Sequence, residues 1–387
     1  MRGFFVRFLV VTILLATFPL TAIAEEGKVN LAKESSSAIL MERDTGTILF
    51  EKNSNEKLPP ASMTKIMTML LIMEALDQGK ITLDEKVRTS ERAASMGGSQ
   101  IFLEVGEEMT VEEMLKGIAI ASGNDASVAM AEHLAGSEEN FVAMMNDRAK
   151  ELGLTDTNFL NSNGLPAENH YTTAYDLAII SKELLKYEDV LAYTSLYEDY
   201  LRQDTDNKFW LVNTNKLVKF YPGVDGLKTG YTREAKYCLT VTAKKNDMRV
   251  IAVVMGAETP KERNRQITEM LDYSFSQYTT HNLYERGHVI TESKVSKGQK
   301  PSVEVVTSET VSVLTKKGEN IENVEEDISL DKNLKAPIKK GDQIGLLRLE
   351  KEGKTLAEVP LVANDDVGVA SWWQLFKRTT AKFGGKS

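Results

Sequence analysis

The sequence predicts an α+β domain, then a small all-β domain, then a short amphipathic helix at the C-terminus. Three observations carry this. Strand-like runs stand at both ends of residues 25–280 and helical periodicity fills the middle, so strands from opposite ends of the segment share one antiparallel sheet with helices packed on it. From 281 to 368, short alternating runs separated by charged turns replace the helical period. Residues 369–387 then gather two of the chain's three tryptophans with several lysines and an arginine. A length of 387 residues suits two domains, and 42% apolar with 27% charged residues is the composition of a globular protein. The net charge of −9 excludes a nucleic-acid binder, which needs a basic surface to displace counterions from phosphates.

Residues 1–24 read as a signal peptide. Arg2 and Arg7 precede and flank the apolar run Phe8 to Phe18, and Ala22-Ile23-Ala24 gives the small-x-small pattern of a cleavage site before Glu25-Glu26. The alternative is an uncleaved membrane helix, for which the apolar stretch is short. Ala38 to Met41 and Gly46 to Phe50 then form a hairpin about the turn Arg43-Asp44-Thr45-Gly46. From Met63 to Asp77 apolar residues surround most of a helix, which must therefore be central and buried. Helical patterns dominate from 89 to 153 and return at Tyr175 to Lys186. Strands follow at Lys236 to Lys244 and Met248 to Met255, and a helix runs from Lys261 to Tyr278. Cys238, the single cysteine, lies in one of those strands and reads as a small buried apolar residue; no intramolecular disulfide can form. In the terminal stretch Trp372, Phe376, Thr379 and Phe383 share one helical face, flanked by Lys377, Arg378 and Lys382. That composition suits a helix lying at a membrane surface, the alternative being a helix docked on its own domain.

Three short motifs carry chemistry. In Ser62-Met63-Thr64-Lys65 the lysine follows the serine by one helical turn, within reach of its hydroxyl. A neutral lysine can take the hydroxyl proton, and burial or a nearby cation would make it neutral. Free N–H groups at the helix start could stabilise an oxyanion. An N-cap serine beside a solvent-facing lysine would give the same pattern. Ser122-Gly123-Asn124 follows an apolar run; Ser122 can relay a proton and Asn124 can bind a substrate backbone or Lys65, or the tripeptide is a helix cap. Lys228-Thr229-Gly230 offers a cation and a hydroxyl for a carboxylate, with Gly230 allowing close approach to a strand edge, or it is an exposed polar strand.

Together and in this order, the three motifs resemble those of the low-molecular-mass penicillin-binding proteins that act as D-alanyl-D-alanine carboxypeptidases, the peptidase S11 type. The wording around Pro60-Ala61-Ser62-Met63-Thr64-Lys65 and Asp225 to Gly230 is close to the family's own, and the likeness covers essentially the whole mature chain. It is greatest to the type of sporulating Gram-positive bacteria, where a secreted catalytic domain, a β domain and an amphipathic tail follow one another. The resemblance implies a transpeptidase/β-lactamase-like catalytic domain, an antiparallel sheet with helices on both sides, over 25–280, and a small β-sandwich over 281–368. It implies that Ser62 forms the acyl-enzyme, Lys65 is the general base, and Ser122 and Lys228 connect the proton network. Asn124 binds substrate, and the backbone N–H groups of Ser62 and Tyr231 form the oxyanion hole. Thr229 of the Lys228-Thr229-Gly230 triplet meets the substrate carboxylate together with Arg263, whose alternative is a solvated helix position. Tyr231 stands where some relatives carry histidine, a departure of little weight for a backbone role. No metal or cofactor is implied. The partners implied are peptidoglycan stem peptides ending in D-Ala-D-Ala, β-lactams as covalent inhibitors, and a membrane surface, with the protein exported to the outer face of the cytoplasmic membrane or the cell wall.

A β-lactamase shares most of these features but needs a glutamate that positions water between the second and third motifs. Asn163 to Tyr171 contains Glu168 without the E-x-x-x-N arrangement. A non-catalytic peptidoglycan-binding protein on the same fold would typically have lost a reactive residue, and none of the three motifs is broken. His133, His170, His281 and His288 lack metal-site spacing, and no G-x-S-x-G elbow occurs.

Overall fold

The structure is a computed structural model and describes residues 29–376. The signal-peptide segment and the basic part of the tail (Lys377, Arg378, Thr379, Lys382 and Phe383) lie outside the described residues.

The chain forms β1 (Ser37–Glu42) and β2 (Ile48–Lys52), a 3-10 turn (Ala61–Thr64), and α1 (Lys65–Asp77). A helical region follows: β3 (Lys86–Arg88), α2 (Glu91–Ala94), β4 (Glu108–Thr110), α3 (Val111–Ala119), α4 (Asn124–Ala135), α5 (Glu138–Glu151), α6 (Ala174–Leu184) and α7 (Leu191–Thr194). After β5 (Glu198–Leu201), β6 (Phe209–Val212) and α8 (Leu217–Phe220), the chain returns to the sheet with β7 (Val224–Thr232), β8 (Lys236–Lys245) and β9 (Met248–Ala257), then α9 (Pro260–Gln277). The five-stranded antiparallel sheet has the order β2-β1-β9-β8-β7, so the first strands pair with the last, as the element order requires.

Both faces of this sheet are covered, and the period-2 alternation divides its residues between them. Ile39, Met41, Ile251 and Val253 join the core of α1, α3, α4 and α6. Ala38, Leu40, Val250 and Ala252 pack instead against Ile267, Met270 and Leu271 of α9. Helix α1 is buried nearly all round, from Lys65 to Met73 without a break. It is not amphipathic because it has no solvent side, as its sequence predicts. The antiparallel pairs β3–β4, with α2 between them, and β5–β6 have no counterpart in the sequence pattern; at three or four residues each the strands are too short to show a period.

The second unit follows without a linker. Gln277 ends α9 and Tyr278 opens β10 (Tyr278–Tyr284), which pairs with β13 (Val311–Lys316). Strands β11 (Val289–Lys294), β12 (Ser302–Thr307), β14 (Glu325–Leu330), β15 (Gln343–Lys351) and β16 (Lys354–Ala363) make a five-stranded sheet in the order β11-β12-β16-β15-β14. Val311 and Val313 of the two-stranded ribbon share one apolar core with Val305, Leu347, Leu349 and Leu361 of this sheet. Lys182–Glu309 (3.5 Å), Arg286 Nη1 donating to Lys186 O (2.6 Å) and Ser312 Oγ donating to Asp44 Oδ2 (3.3 Å) tie the unit to the first one.

One buried contact fixes the loop after α5 to the turn before α1. His170 accepts from the Leu160 N–H at Nδ1 (3.3 Å), so Nε2 carries the proton and donates to Thr64 Oγ1 (2.9 Å). Burial pushes this imidazole down to about 4, because a second proton at Nδ1 would face a donor in a dry site. With the folded value below the unfolded one, the unfolded chain binds the extra proton first, and His170 removes stability as pH falls from about 6.5 to about 4. A drop from about 6.5 to about 4 corresponds to about 3 kcal/mol at most. Urea unfolding of the wild type and His170→Asn should therefore show a stability difference that shrinks across this window. A difference independent of pH would contradict the assignment.

Candidate active site

The serine is presented by a strained turn. Leu58 pairs with Thr172, Pro59 and Pro60 follow, and Ala61 takes the left-handed conformation (φ 49°), rare for a residue with a side chain. Two glycines seat this turn. A Cβ on Gly164 would fall 1.8 Å from Ala61 O, and one on Gly230 would fall 2.9 Å from Pro60 O. The space before Gly230 is thus occupied by the chain's own turn, whereas its sequence context suggested approach by a ligand. Ser62 lies on the 3-10 turn and Lys65 is the first residue of α1, so the two side chains meet where two helix types join.

Lys65 is wholly buried, and among the described residues no carboxylate forms an ion pair with it. Its Nζ has three neighbours: Asn124 Oδ1 and Asn163 O, each at 2.6 Å, and Ser62 Oγ at 3.2 Å. The Asn124 orientation is fixed, because its Nδ2 donates to Gly97 O (2.7 Å) and its backbone N–H to Ser99 O (2.7 Å). Both 2.6 Å neighbours are therefore obligate acceptors. Burial, and then the nearby Lys228 cation, hold Lys65 well below the usual lysine range, against a smaller opposing pull from Asp125. A neutral amine has two N–H bonds and one lone pair. The two acceptors take the hydrogens, and the lone pair is left for the Ser62 hydroxyl.

Ser122 sits between α3 and α4, buried, with φ 65°. Its hydroxyl makes no side-chain hydrogen bond among the described residues, so it is not joined to Lys65 in this state. Gly123 is the N-cap of α4, and Asn124 and Asp125 occupy the first turn of that helix.

The third motif lies on β7. Lys228 is also fully buried, its Nζ donating to Thr229 O (3.2 Å). Burial and the neighbouring Arg263 push it down to about 7. Arg263, on α9, is itself buried and pushed down to about 10 by that burial; it donates to Cys238 O (3.5 Å) and to Asn264 Oδ1. Its burial rules out a solvated helix position. Thr229 Oγ1 donates to Thr214 Oγ1 (2.7 Å), while the Tyr231 ring is 55% exposed and lies against Tyr237 at 4.4 Å. Cys238 is buried with its thiol pushed up to about 11, as befits a core residue.

Ser62, Lys65 and Asn124 are thus bonded together, and Lys228, Thr229 and Arg263 form a cationic wall beside them. Sequence reasoning missed Asn163, Gly164 and Thr214. Asn163 acts through its carbonyl, which no side-chain pattern reports; the segment from Asn163 to Tyr171 drew attention only for Glu168. Glu168, in the same segment, is exposed. Among the described residues no group of three or more metal-ligating side chains occurs.

Residues 24–259 match the family described as D-alanyl-D-alanine carboxypeptidase, and residues 278–369 match the C-terminal domain of penicillin-binding protein 5. The chain is 62% identical over 374 residues to the D-alanyl-D-alanine carboxypeptidase DacF of Bacillus subtilis (strain 168), covering 96% of each. Penicillin-binding protein 5 from Haemophilus influenzae superposes with a TM-score of 0.68 at 34% identity, over 88% of this chain and 98% of that one. The ampicillin-bound penicillin-binding protein D2 of Listeria monocytogenes gives 0.57 at 30% identity, over 64% of this chain and 99% of that one. The matches cover both units and the three motifs lie inside the first, so this chain belongs to the D-alanyl-D-alanine carboxypeptidase family of penicillin-binding proteins.

Proposed function

We propose that the protein is a serine D-alanyl-D-alanine carboxypeptidase in which Ser62 is acylated by peptidoglycan stem peptides. The observation that carries this is the hydrogen bonding of Lys65: two obligate acceptors leave its lone pair for the Ser62 hydroxyl. Lys65 takes the Ser62 proton as Oγ attacks the carbonyl between the last two D-alanines. The oxyanion is held by the backbone N–H groups of Ser62 and Tyr231. Its collapse breaks the C–N bond, and the proton passes through Ser122, assisted by Lys228, to the departing D-alanine nitrogen. Water then attacks the ester and Ser62 recovers its proton. Thr229 and Arg263 hold the terminal carboxylate; Lys228 and Arg263 are both buried and, among the described residues, neither forms an ion pair with a carboxylate. Asn124 orients Lys65 as well as meeting substrate, and Gly230 shapes the Ser62 turn.

β-Lactams should acylate Ser62 and leave slowly, since Glu168 is exposed and the buried neighbour from its segment is the Asn163 carbonyl. Export with cleavage after Ala24 brings the enzyme to this substrate. The catalytic unit is assigned to 25–277 and the β unit to 278–368, because β10 opens at Tyr278, three residues before the boundary expected from the sequence; a membrane-surface tail is assigned to 369–387. Trp372, Trp373 and Phe376 support the tail's role: they are 68%, 64% and 46% exposed, Trp372 stacks on Phe376, and Trp373 meets both rings edge-on. No helix among the described residues is long and apolar enough to cross a membrane.

Peptide mass spectrometry after benzylpenicillin treatment should place the adduct on Ser62, and a muropeptide pentapeptide should yield free D-alanine in excess of cross-linked product. An adduct elsewhere on folded protein would sink the assignment. The acid limb of kcat/KM should fall as Lys65 acquires a proton, at a pH well below the usual lysine range. Lys228→Met removes the cation that depresses Lys65, so the residual activity should show this limb at higher pH; an unmoved limb would separate Lys65 from the rate. For the tail, liposomes containing anionic lipid should float the mature chain but not one ending at Val369, and equal flotation would remove the membrane assignment.

A further inference from the structure

A lone exposed aromatic is ordinary, but Phe102 is displayed at the expense of strain. Its φ is 56°, the left-handed region that bulky residues avoid. Its neighbours Ile101 and Leu103 are buried, while its own ring is 64% exposed. The peptide groups on both sides are held. Asp125 accepts from the Ile101 and Leu103 N–H groups, each at 3.1 Å. Arg202 donates to Ile101 O (3.1 Å) and Phe102 O (3.2 Å) while its guanidinium pairs with Glu107 (2.6 and 2.9 Å). The ring makes a T-shaped contact with Phe209 on β6, at 5.7 Å between centroids.

This clamp stands at the candidate active site. The same loop supplies Gly97 O and Ser99 O to Asn124, whose Oδ1 holds Lys65, and Asp125 is the next residue of α4. Phe102 is therefore on the helical wall of the site, whereas Thr229 and Arg263 belong to β7 and α9. A substrate whose terminal carboxylate lies at the cationic wall carries the chain amino-terminal to the attacked carbonyl away from it.

We infer that Phe102, fixed by Asp125 and Arg202, is a specificity-determining residue that packs against the apolar part of the acyl-side peptide, the aliphatic stem of the residue preceding the two D-alanines. The inference rests on the carboxypeptidase reading and adds which part of the substrate is read. An apolar contact of this kind changes specificity by about tenfold.

The test uses the mature chain and two substrates with the same D-Ala-D-Ala end: diacetyl-L-Lys-D-Ala-D-Ala, which carries the aliphatic stem, and acetyl-D-Ala-D-Ala, which lacks it. Phe102→Ala should lower kcat/KM for the first about tenfold and leave the second within about twofold. Phe102→Gly removes the ring with no strain in the left-handed region and should give the same split, separating the contact from any loss of folding. Equal losses on both substrates, or none, would overturn the inference. If the wild type releases D-alanine from neither, the carboxypeptidase reading fails instead. Phe102 is then judged on the acylation rate of Ser62 by benzylpenicillin against 6-aminopenicillanic acid, which lacks the apolar side chain; the same split supports it and its absence overturns it.

Discussion

A lysine with no solvent and no carboxylate partner is the constraint on which the rest of the catalytic unit depends. Burying an ammonium unpaired costs far more than the fold's margin of stability, and this disfavours the charged form of Lys65. Everything around Lys65 fits that outcome. Helix α1 is apolar on all sides and enclosed by the sheet, α3, α4 and α6, which keeps water from the amine. Lys228 adds positive potential that further disfavours the charged form, as Arg263 does in turn for Lys228. The neutral amine can then accept a proton, which the charged form cannot. The core packing that stabilises the domain and the basicity of the site therefore have the same cause.

The second feature is where strain is located. Ala61, Phe102 and Ser122 all occupy the left-handed region; Ala61 and Ser122 lie next to or two residues from Ser62 and Asn124, and Phe102 is in the loop bonded to Asn124. Such conformations cost of order 1–3 kcal/mol each and persist only where surrounding contacts over-determine them. Those contacts are present here: Gly164 and Gly230 hold the Ala61 turn, Asp125 and Arg202 hold Phe102, and the buried start of α4 holds Ser122. Helix α1 has no residue in that region and serves as the rigid base against which these turns are held.

Much of this was legible from residue order alone. The all-round apolar pattern of Met63 to Asp77 gave the central helix, and strand signals at both ends of the unit gave a sheet closed by β1 and β9. Three spaced motifs named the residues of the site, and the structure bonds Ser62, Lys65 and Asn124 together while burying Lys228 and Arg263 beside them. What was not legible shares one trait. Asn163 contributes a carbonyl, Gly164 and Gly230 contribute the absence of a Cβ, and the loop bonded to Asn124 contributes Gly97 and Ser99 carbonyls. Backbone groups are the same at every position, so a pattern of side chains carries no trace of them. The short strand pairs β3–β4 and β5–β6 escaped for a different reason, being too brief to establish a period.

The Asn163 carbonyl has a consequence for how this site can change over generations. A side chain that holds a catalytic base can be lost in one codon change, whereas a peptide oxygen survives every substitution at its own position. Half of what aims the Lys65 lone pair is thus shielded from point mutation, while the other half, the Asn124 amide, is not. Variants selected under antibiotic pressure can dislodge the carbonyl only by moving its loop, through residues such as Gly164 that have no room to grow. The geometry of the base is for that reason among the hardest features of this protein to alter without unmaking the turn that carries its nucleophile.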